Sequence, residues 1–276
     1  MKTTEQSSNY ENLDKMTTQE LLRAMNAEDM TVPVAVGGSI PQIEELVEGI
    51  VERMKRGGRV FYIGAGTSGR LGIVDASEIP PTYGVRDKFI GIIAGGDGAI
   101  RTAVEGAEDD WEQGWQDMLK FNPTVEDTLV GIAASGTTPY VIGAVKQARA
   151  MGLLTSCITN NDGSPLAAES EVPIVTVVGP EFVTGSTRMK SATALKLILN
   201  MISTATMVGC GKAYQNLMVD VMQTNEKLVV RAQNIVMEAT GCDRETAAEK
   251  IAIADGNAKT AITMILADCG VEEARE

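Results

Sequence analysis

Apolar positions along this chain follow two rhythms. Between residues 59 and 178, short and nearly continuous apolar runs rich in branched side chains alternate with amphipathic stretches. Strands are expected near 59–63, 89–94, 128–133, 153–159 and 173–178, with helices from 67, over 98–119 and over 139–150. Apolar strands separated by helices argue for an α/β fold, a parallel sheet covered by helices. Ahead of it, Thr18-Gln-Glu-Leu-Leu-Arg-Ala-Met25 reads as a capped helix and Pro41 to Arg56 as another, with Ile43, Leu46, Val47 and Ile50 on one face. The polar residues up to about Asn12 are expected to be flexible.

Past Gly179 the rhythm is helical. Ser191 to Val208 is a long apolar helix broken by Lys196 and Asn200, read as a buried or interface helix, and Leu217 to Ala239 reads as one or two more. Asp243 or Thr240 caps a further helix, and Gly256-Asn257 ends one helix and begins the next. The chain thus divides into an N-terminal helical segment over 1–57, a sheet domain over 58–225 and a small C-terminal all-helical unit over 226–276.

The strand at Arg59-Val-Phe-Tyr-Ile63 runs directly into Gly64-Ala-Gly-Thr-Ser-Gly69, so backbone amides can converge on an anion where a helix opens, with Thr67 and Ser68 adding hydroxyl donors. The glycine spacing also fits the dinucleotide fingerprint, which requires an acid about 20 residues on, at the carboxyl end of the next strand. Asp87 has that spacing but precedes the run Phe89-Ile-Gly-Ile-Ile93, at the wrong end. A tight turn without a ligand would account for the glycines but not for the adjacent hydroxyls. A second loop, Ala134-Ser-Gly-Thr-Thr-Pro-Tyr140, repeats the arrangement with Ser135, Thr137 and Thr138. Two such loops at strand carboxyl ends point to a phosphate-bearing ligand. A third segment, Val183-Thr-Gly-Ser-Thr-Arg-Met-Lys190, sets Thr184, Ser186 and Thr187 before the long helix, with Arg188 and Lys190 able to supply positive charge; an ordinary helix start fits it equally well.

Composition narrows the chemistry. With 276 residues, 44% of them apolar, the chain can bury a substantial core. It has no run of about 18 apolar residues and no apolar signal-peptide core, so neither a membrane span nor export is expected and the cytoplasm is the default. A net charge of −13 opposes nucleic-acid binding, so an anionic ligand must be held locally. The four cysteines are too dispersed for a zinc site or a disulfide framework. Histidine is absent, which shifts proton transfer to carboxylates with displaced pKa values. Glu78 precedes Ile79-Pro80-Pro81, where the prolines are expected to hold a rigid, non-helical backbone. Glu105, Glu108, Asp109 and Asp110 form an acidic cluster on the expected helix over 98–119, ordinarily a solvated face.

These segments also carry a resemblance. Gly64-Ala-Gly-Thr-Ser-Gly-Arg-Leu-Gly72, Asp75-Ala-Ser-Glu-Ile-Pro-Pro-Thr-Tyr-Gly84, Ala94-Gly-Gly96, Ala103-Val-Glu-Gly-Ala-Glu-Asp109, Gly131-Ile-Ala-Ala-Ser-Gly136, Thr184-Gly-Ser-Thr-Arg-Met-Lys190 and Asn216-Leu-Met-Val-Asp220 resemble, in order, the motifs of the N-acetylmuramic acid 6-phosphate etherase family. The resemblance implies a sugar isomerase (SIS) fold, a C-terminal part similar to a ubiquitin-associated (UBA) domain, and a homodimer with shared active sites. It implies cleavage of the D-lactyl ether of N-acetylmuramic acid 6-phosphate to N-acetylglucosamine 6-phosphate and D-lactate in cell-wall recycling, with no metal or redox cofactor. The related glucokinase regulatory protein binds sugar phosphates without this chemistry, so a sugar-phosphate regulator and a sugar-phosphate isomerase are the competing readings.

Carried over residue by residue, the two glutamates of the family fall on Glu78, in Asp-Ala-Ser-Glu, and Glu108, in Glu-Gly-Ala-Glu. Glu108 would remove the C2 hydrogen of the opened sugar and Glu78 would protonate the departing ether oxygen, although the two labels could be exchanged. Such a pair needs environments that separate its pKa values. Gly66, Thr67, Ser68, Ser135, Gly136 and Thr137 fall at the phosphate or sugar, with Ser186 and Thr187 near the sugar. Many members of the family continue beyond the position of Glu276, so a shorter or differently packed helical tail is expected.

Overall fold

The computed structural model describes residues 2–220 and 226–275. The chain forms two compact units, one of 1–77 and 87–206 and the other of 78–86 and 207–276.

In the first unit, helices α1 (Thr18–Asp29), α2 (Val32–Gly37) and α3 (Ile40–Lys55) lead into β1 (Val60–Gly64). There follow α4 (Gly66–Tyr83), whose residues from 78 on are counted in the second unit, β2 (Phe89–Ile93), α5 (Gln113–Leu119), β3 (Thr128–Ile132), α6 (Pro139–Met151), β4 (Leu154–Thr159), α7 (Pro165–Glu169), β5 (Val172–Val175) and α8 (Lys190–Gly209), whose residues from 207 on are counted there too. The strands form one sheet in the order β2-β1-β3-β4-β5, every neighbouring pair parallel. Both faces are covered, so β1, β3 and β4 are buried throughout, and β1 and β3 read as nearly continuous apolar runs while β4 also buries Thr155, Ser156 and Thr159. On one face α6 packs across β1, β3 and β4, and Phe61, Ile63, Leu129 and Cys157 cluster with its Val141 and Val145 and with Leu166 of α7. On the other face α3 packs on β4 and β5. There α4 approaches so closely that a Cβ at Gly72 would stand 3.0 Å from Tyr62 and 3.1 Å from Ile132.

Three local expectations are corrected. The helix expected over 98–119 is a 3-10 turn at Asp97–Ile100, then irregular turns, then α5. Gly106 turns the chain at φ +73, and the Asp110 carboxylate accepts the N–H groups of Glu112 and Gln113, so the helix starts late. Glu105 and Glu108 therefore lie on turns. The prolines after Glu78 do not end the helix: Pro80 and Pro81 lie inside α4, and the Pro80 carbonyl accepts the Gly84 N–H at 3.0 Å. A proline so near the carboxyl end removes only one or two of the last intrahelical bonds. The N-terminal polar segment is bonded in place, with Thr4 N–H donating to Asn161 Oδ1 (3.2 Å), Asn161 Nδ2 to Thr4 Oγ1 (2.9 Å) and Ser8 Oγ to the Phe182 carbonyl (2.8 Å). The short helices α2 and α7 have too few residues for a periodic signal.

In the second unit, α9 (Glu226–Thr240), α10 (Arg244–Ile253), α11 (Ala258–Ala267) and α12 (Val271–Arg275) surround a core that includes Ile235, Val236, Ile251 and Ile262. Asp243 caps α10 by accepting from Thr246 N–H, and Asn257 caps α11 by accepting from Thr260 N–H, both at 2.8 Å, as their positions predicted. Of the helices expected over 217–239, residues 221–225 lie outside the described part, as does the domain boundary expected at residue 225; Leu217 is instead bridged to Tyr214. α8 is long and apolar enough to cross a membrane, but half of it is buried in the protein, Leu195, Ile198, Leu199 and Ile202 among its buried residues.

Candidate active site

Strand order places the chemistry. β1 and β3 are neighbours, but the chain leaves β1 toward β2 on one side and β3 toward β4 on the other, so their carboxyl ends border a topological switch point. Gly64 pairs with Ile132, and the two hydroxyl loops leave the sheet side by side.

The first loop is shaped by close approach. A Cβ at Gly69 would stand 2.8 Å from the Gly64 carbonyl oxygen, so α4 can open tight against the end of β1. Gly66, at φ +51, is its first residue; Thr67 is partly exposed and Ser68 buried. One turn on, the Arg70 guanidinium donates from Nε to the Ile100 carbonyl (2.9 Å) and from Nη2 to the Ala99 carbonyl (2.8 Å). Arg70, Gly66 and Glu108 line a cavity of about 190 Å³ with Glu105 and a wall of small apolar residues.

Glu108 is exposed on its turn, and its main chain is held by α6, whose Tyr140 N–H donates to the Glu108 carbonyl at 3.0 Å. Two glycines make room for this docking. A Cβ at Gly143 would stand 1.8 Å from the Trp111 carbonyl oxygen, and one at Gly114 2.2 Å from that of Tyr140. The Tyr140 hydroxyl donates to Asp117 at 2.7 Å. Burial raises the pKa of Asp117, but bonds from Lys120, Tyr140 and Gln113 outweigh it and hold the carboxyl below its ordinary value. Burial, then Asp117, pushes the phenol of Tyr140 up.

In the second loop Gly136 sits at φ +66, where a Cβ would meet Ser164 at 2.4 Å and Thr159 at 2.6 Å. Asn161 Nδ2 donates to the carbonyls of Ala134 (3.2 Å) and Ser135 (3.1 Å), fixing the loop from below. Ser135 Oγ accepts from Thr137 N–H and Oγ1, and Lys2 Nζ donates to Thr137 Oγ1 at 2.9 Å. In the third segment Ser186 and Thr187 are partly exposed. Lys190 departs from the expectation of a ligand cation, since it is buried and paired with Glu28 at 2.6 Å. The start of α8 is capped by the buried Glu181, which accepts the N–H groups of Lys190 and Ser191, each at 2.9 Å.

The structure thus brings Gly66 and Glu108 to one cavity. Thr67 and Ser68, in the first turn of α4, and Ser135, Gly136, Thr137, Ser186 and Thr187, on loops, stand outside its lining. Glu78 is exposed on α4 and belongs to the second compact unit. Sequence reasoning passed over Arg70 and Lys2. Arg70 had a signal, falling one helical turn after Gly66 and so on the same face as the loop. Lys2 had none. Elsewhere in α4, the Asp75 carboxyl lies beside Tyr62 and accepts from Ser203 Oγ at 3.1 Å. Burial raises its pKa to about 6 against the lowering influence of Ser203, Tyr62 and Lys196. Tyr62 Oη and Asp75 Oδ2 are each buried without a hydrogen-bond partner among the described residues.

A parallel sheet of this order with hydroxyl loops at its switch point defines a SIS-type protein. The family descriptions agree, with the glucokinase regulatory protein N-terminal SIS domain matching residues 42–149 and the SIS domain matching 113–205. Among solved structures, a phosphoheptose isomerase from Francisella tularensis shares the fold at a TM-score of 0.52 and 18% identity, covering 68% of this chain and 100% of its own. The N-acetylmuramic acid 6-phosphate etherase of Bacteroides thetaiotaomicron is 54% identical over 95% of each chain. That of a Geobacillus species is 51% identical over 99% of this chain and 94% of its own. The chain belongs to the N-acetylmuramic acid 6-phosphate etherase family.

Proposed function

We propose that this protein cleaves the D-lactyl ether of N-acetylmuramic acid 6-phosphate, releasing D-lactate and N-acetylglucosamine 6-phosphate, with Glu108 as base and Glu78 as acid. The observation that carries the site is the shared cavity of Glu108 and Gly66, which sets a carboxylate beside the glycine loop. In the opened sugar the C1 aldehyde acidifies the C2 hydrogen, and Glu108 takes it. The C3–oxygen bond then breaks as Glu78 delivers a proton to the ether oxygen, because lactate departs poorly as an alkoxide. Water adds to C3 of the unsaturated aldehyde and the ring closes. The hydroxyls of Thr67, Ser68, Ser135 and Thr137 hold the phosphate, with Gly66 and Gly136 turning the two loops around it, while Ser186 and Thr187 lie at the sugar.

The same reading makes the protein a cytoplasmic homodimer with shared active sites. Val104 and Trp111, which flank Glu108 in sequence, are 48% and 52% exposed, and burial against a second copy would remove that apolar surface from water. Incubation with N-acetylmuramic acid 6-phosphate in deuterated water tests the chemistry. Wild-type protein should release D-lactate and place deuterium at C2. Glu108→Gln should lose both, and Glu78→Gln should keep some C2 exchange while releasing no lactate. Lactate release at the wild-type rate by either variant would reject its assignment.

A further inference from the structure

The cavity beside Glu108 is chemically lopsided. Ala65, Ala94, Ala99, Ala103 and Val104 give it a wall of methyl groups, two glutamates give it negative charge, and Arg70 alone in its described lining is a cation. Arg70 is also fixed, since Nε and Nη2 each bond a carbonyl at the end of the 3-10 turn Asp97–Ile100, which orients the guanidinium plane and leaves its Nη1 donors for a ligand. In a chain of net charge −13, with Glu105 and Glu108 in the wall, an anion enters this cavity only if a placed cation offsets the repulsion. At about 190 Å³ the cavity is smaller than the ~300–1,000 Å³ of an ordinary small-molecule site, so it accepts a fragment of a substrate.

We propose that this cavity is the subsite for the lactyl group and that Arg70 recognises its carboxylate, with the alanine and valine wall receiving the methyl group. The inference rests on the etherase reading above. A lactyl ether carries a carboxylate and a methyl on the carbon bonded to the ether oxygen, which is the pairing of a fixed guanidinium and small apolar side chains found here. Pairing the carboxylate with Arg70 does more than bind. An unpaired carboxylate raises the basicity of the oxygen leaving beside it, so its neutralisation eases C3–oxygen cleavage and part of the effect falls on kcat. The phosphate is held elsewhere, by the hydroxyl loops, so N-acetylglucosamine 6-phosphate does not depend on Arg70.

The test compares the natural substrate with its analogue bearing a primary amide in place of the lactyl carboxylate, in wild type, Arg70→Gln and Arg70→Lys. Wild type should prefer the carboxylate substrate in kcat/KM by ~10- to 100-fold, the value of a charge-assisted bond. Arg70→Gln should bring the two substrates to within ~3-fold, and Arg70→Lys should keep an intermediate preference because charge survives without the fork. Calorimetric binding of N-acetylglucosamine 6-phosphate, unchanged in both variants, would show that the loops remain formed. A preference retained in Arg70→Gln, a wild type that does not discriminate, or loss of N-acetylglucosamine 6-phosphate binding in step with turnover would each overturn the assignment. If wild type releases D-lactate and Arg70→Gln keeps the preference, the subsite falls alone; if wild type releases none, the etherase reading falls and the subsite with it.

Discussion

The main-chain N–H of Tyr140 donates to the carbonyl of Glu108 at 3.0 Å, so the proposed base supplies a cap to the helix that follows the second hydroxyl loop. Tyr140 is the second residue of α6, where helical amides have no acceptor of their own, and Thr138 makes no side-chain cap. The turn bearing Glu108 and the loop at 134–138 are therefore mechanically joined. A phosphate that orders the loop also orders the main chain at Glu108.

Gly143→Ala should expose this dependence. Alanine suits a helix interior better than glycine by ~1 kcal/mol, but its Cβ would stand 1.8 Å from the Trp111 carbonyl oxygen and must push the turn away. The expected result is at least a ~10-fold fall in kcat, the cost of moving a catalytic group by a fraction of an ångström, with nearly unchanged circular dichroism. Gly37→Ala, whose Cβ would meet nothing within 4 Å, serves as the control with wild-type turnover. Wild-type kcat in Gly143→Ala would show that docking on α6 does not set Glu108.

Gly136→Ala attacks the other side of the junction. A left-handed φ of +66 costs a non-glycine residue ~1–2 kcal/mol, and contacts of 2.4 Å and 2.6 Å with Ser164 and Thr159 add to it. Thermal unfolding should fall by several degrees, and N-acetylglucosamine 6-phosphate should bind at least ~10-fold more weakly as the loop loses its shape. Unweakened binding would remove this loop from the phosphate site.

The alternation of apolar runs made the sheet legible, and glycine beside threonine and serine marked both loops, because strand burial and helix opening are written in adjacent residues. Features set by distant partners were not. Arg70 acts through carbonyls about thirty positions on, in a turn hidden by the helical spacing of its neighbours. Polar residues 2–10 read as flexible because nothing local announces that Asn161 and Phe182 will bond them. Lys190 looked available until the fold buried it against Glu28.

Asp127 should carry stability that acid removes. Its carboxylate is 1% exposed, accepts the main-chain N–H groups of Arg59 and Thr124 at 2.8 Å each, and pairs with the Arg59 guanidinium at 2.7 Å. Burial raises its pKa, but these bonds outweigh burial and hold it below the ordinary value of 3.8. The folded state therefore binds its proton less readily than the unfolded chain, so the contribution is full above the unfolded value and disappears as pH falls through the folded one. Asp127→Ala should cost ~3 kcal/mol at pH 7, leaving two amides without their acceptor and the Arg59 guanidinium with only the carbonyls of Phe121 and Asn122. Denaturant titration should show that cost shrinking below about pH 4, near the unfolded carboxyl pKa; a cost independent of pH would assign it to packing alone.

Asp75 should behave in the opposite sense. Burial lifts its pKa from 3.8 to about 6, so the folded chain holds the proton that the unfolded chain gives up between those values. Stability from this group is full below the unfolded pKa and lost as pH rises through the folded one. At pH 7 the carboxylate is charged in a place that disfavours charge, at a cost of roughly 3 kcal/mol by the size of the shift. Asp75→Asn keeps the shape and a partner for Ser203 without the charge. It should stabilise the protein by about 1–3 kcal/mol at pH 7.5 and change it little at pH 4, where both side chains are neutral. Paired denaturant titrations at the two pH values decide the matter. A variant less stable than wild type at pH 7.5 would mean that Lys196 and Ser203 favour the charged carboxylate more than burial opposes it.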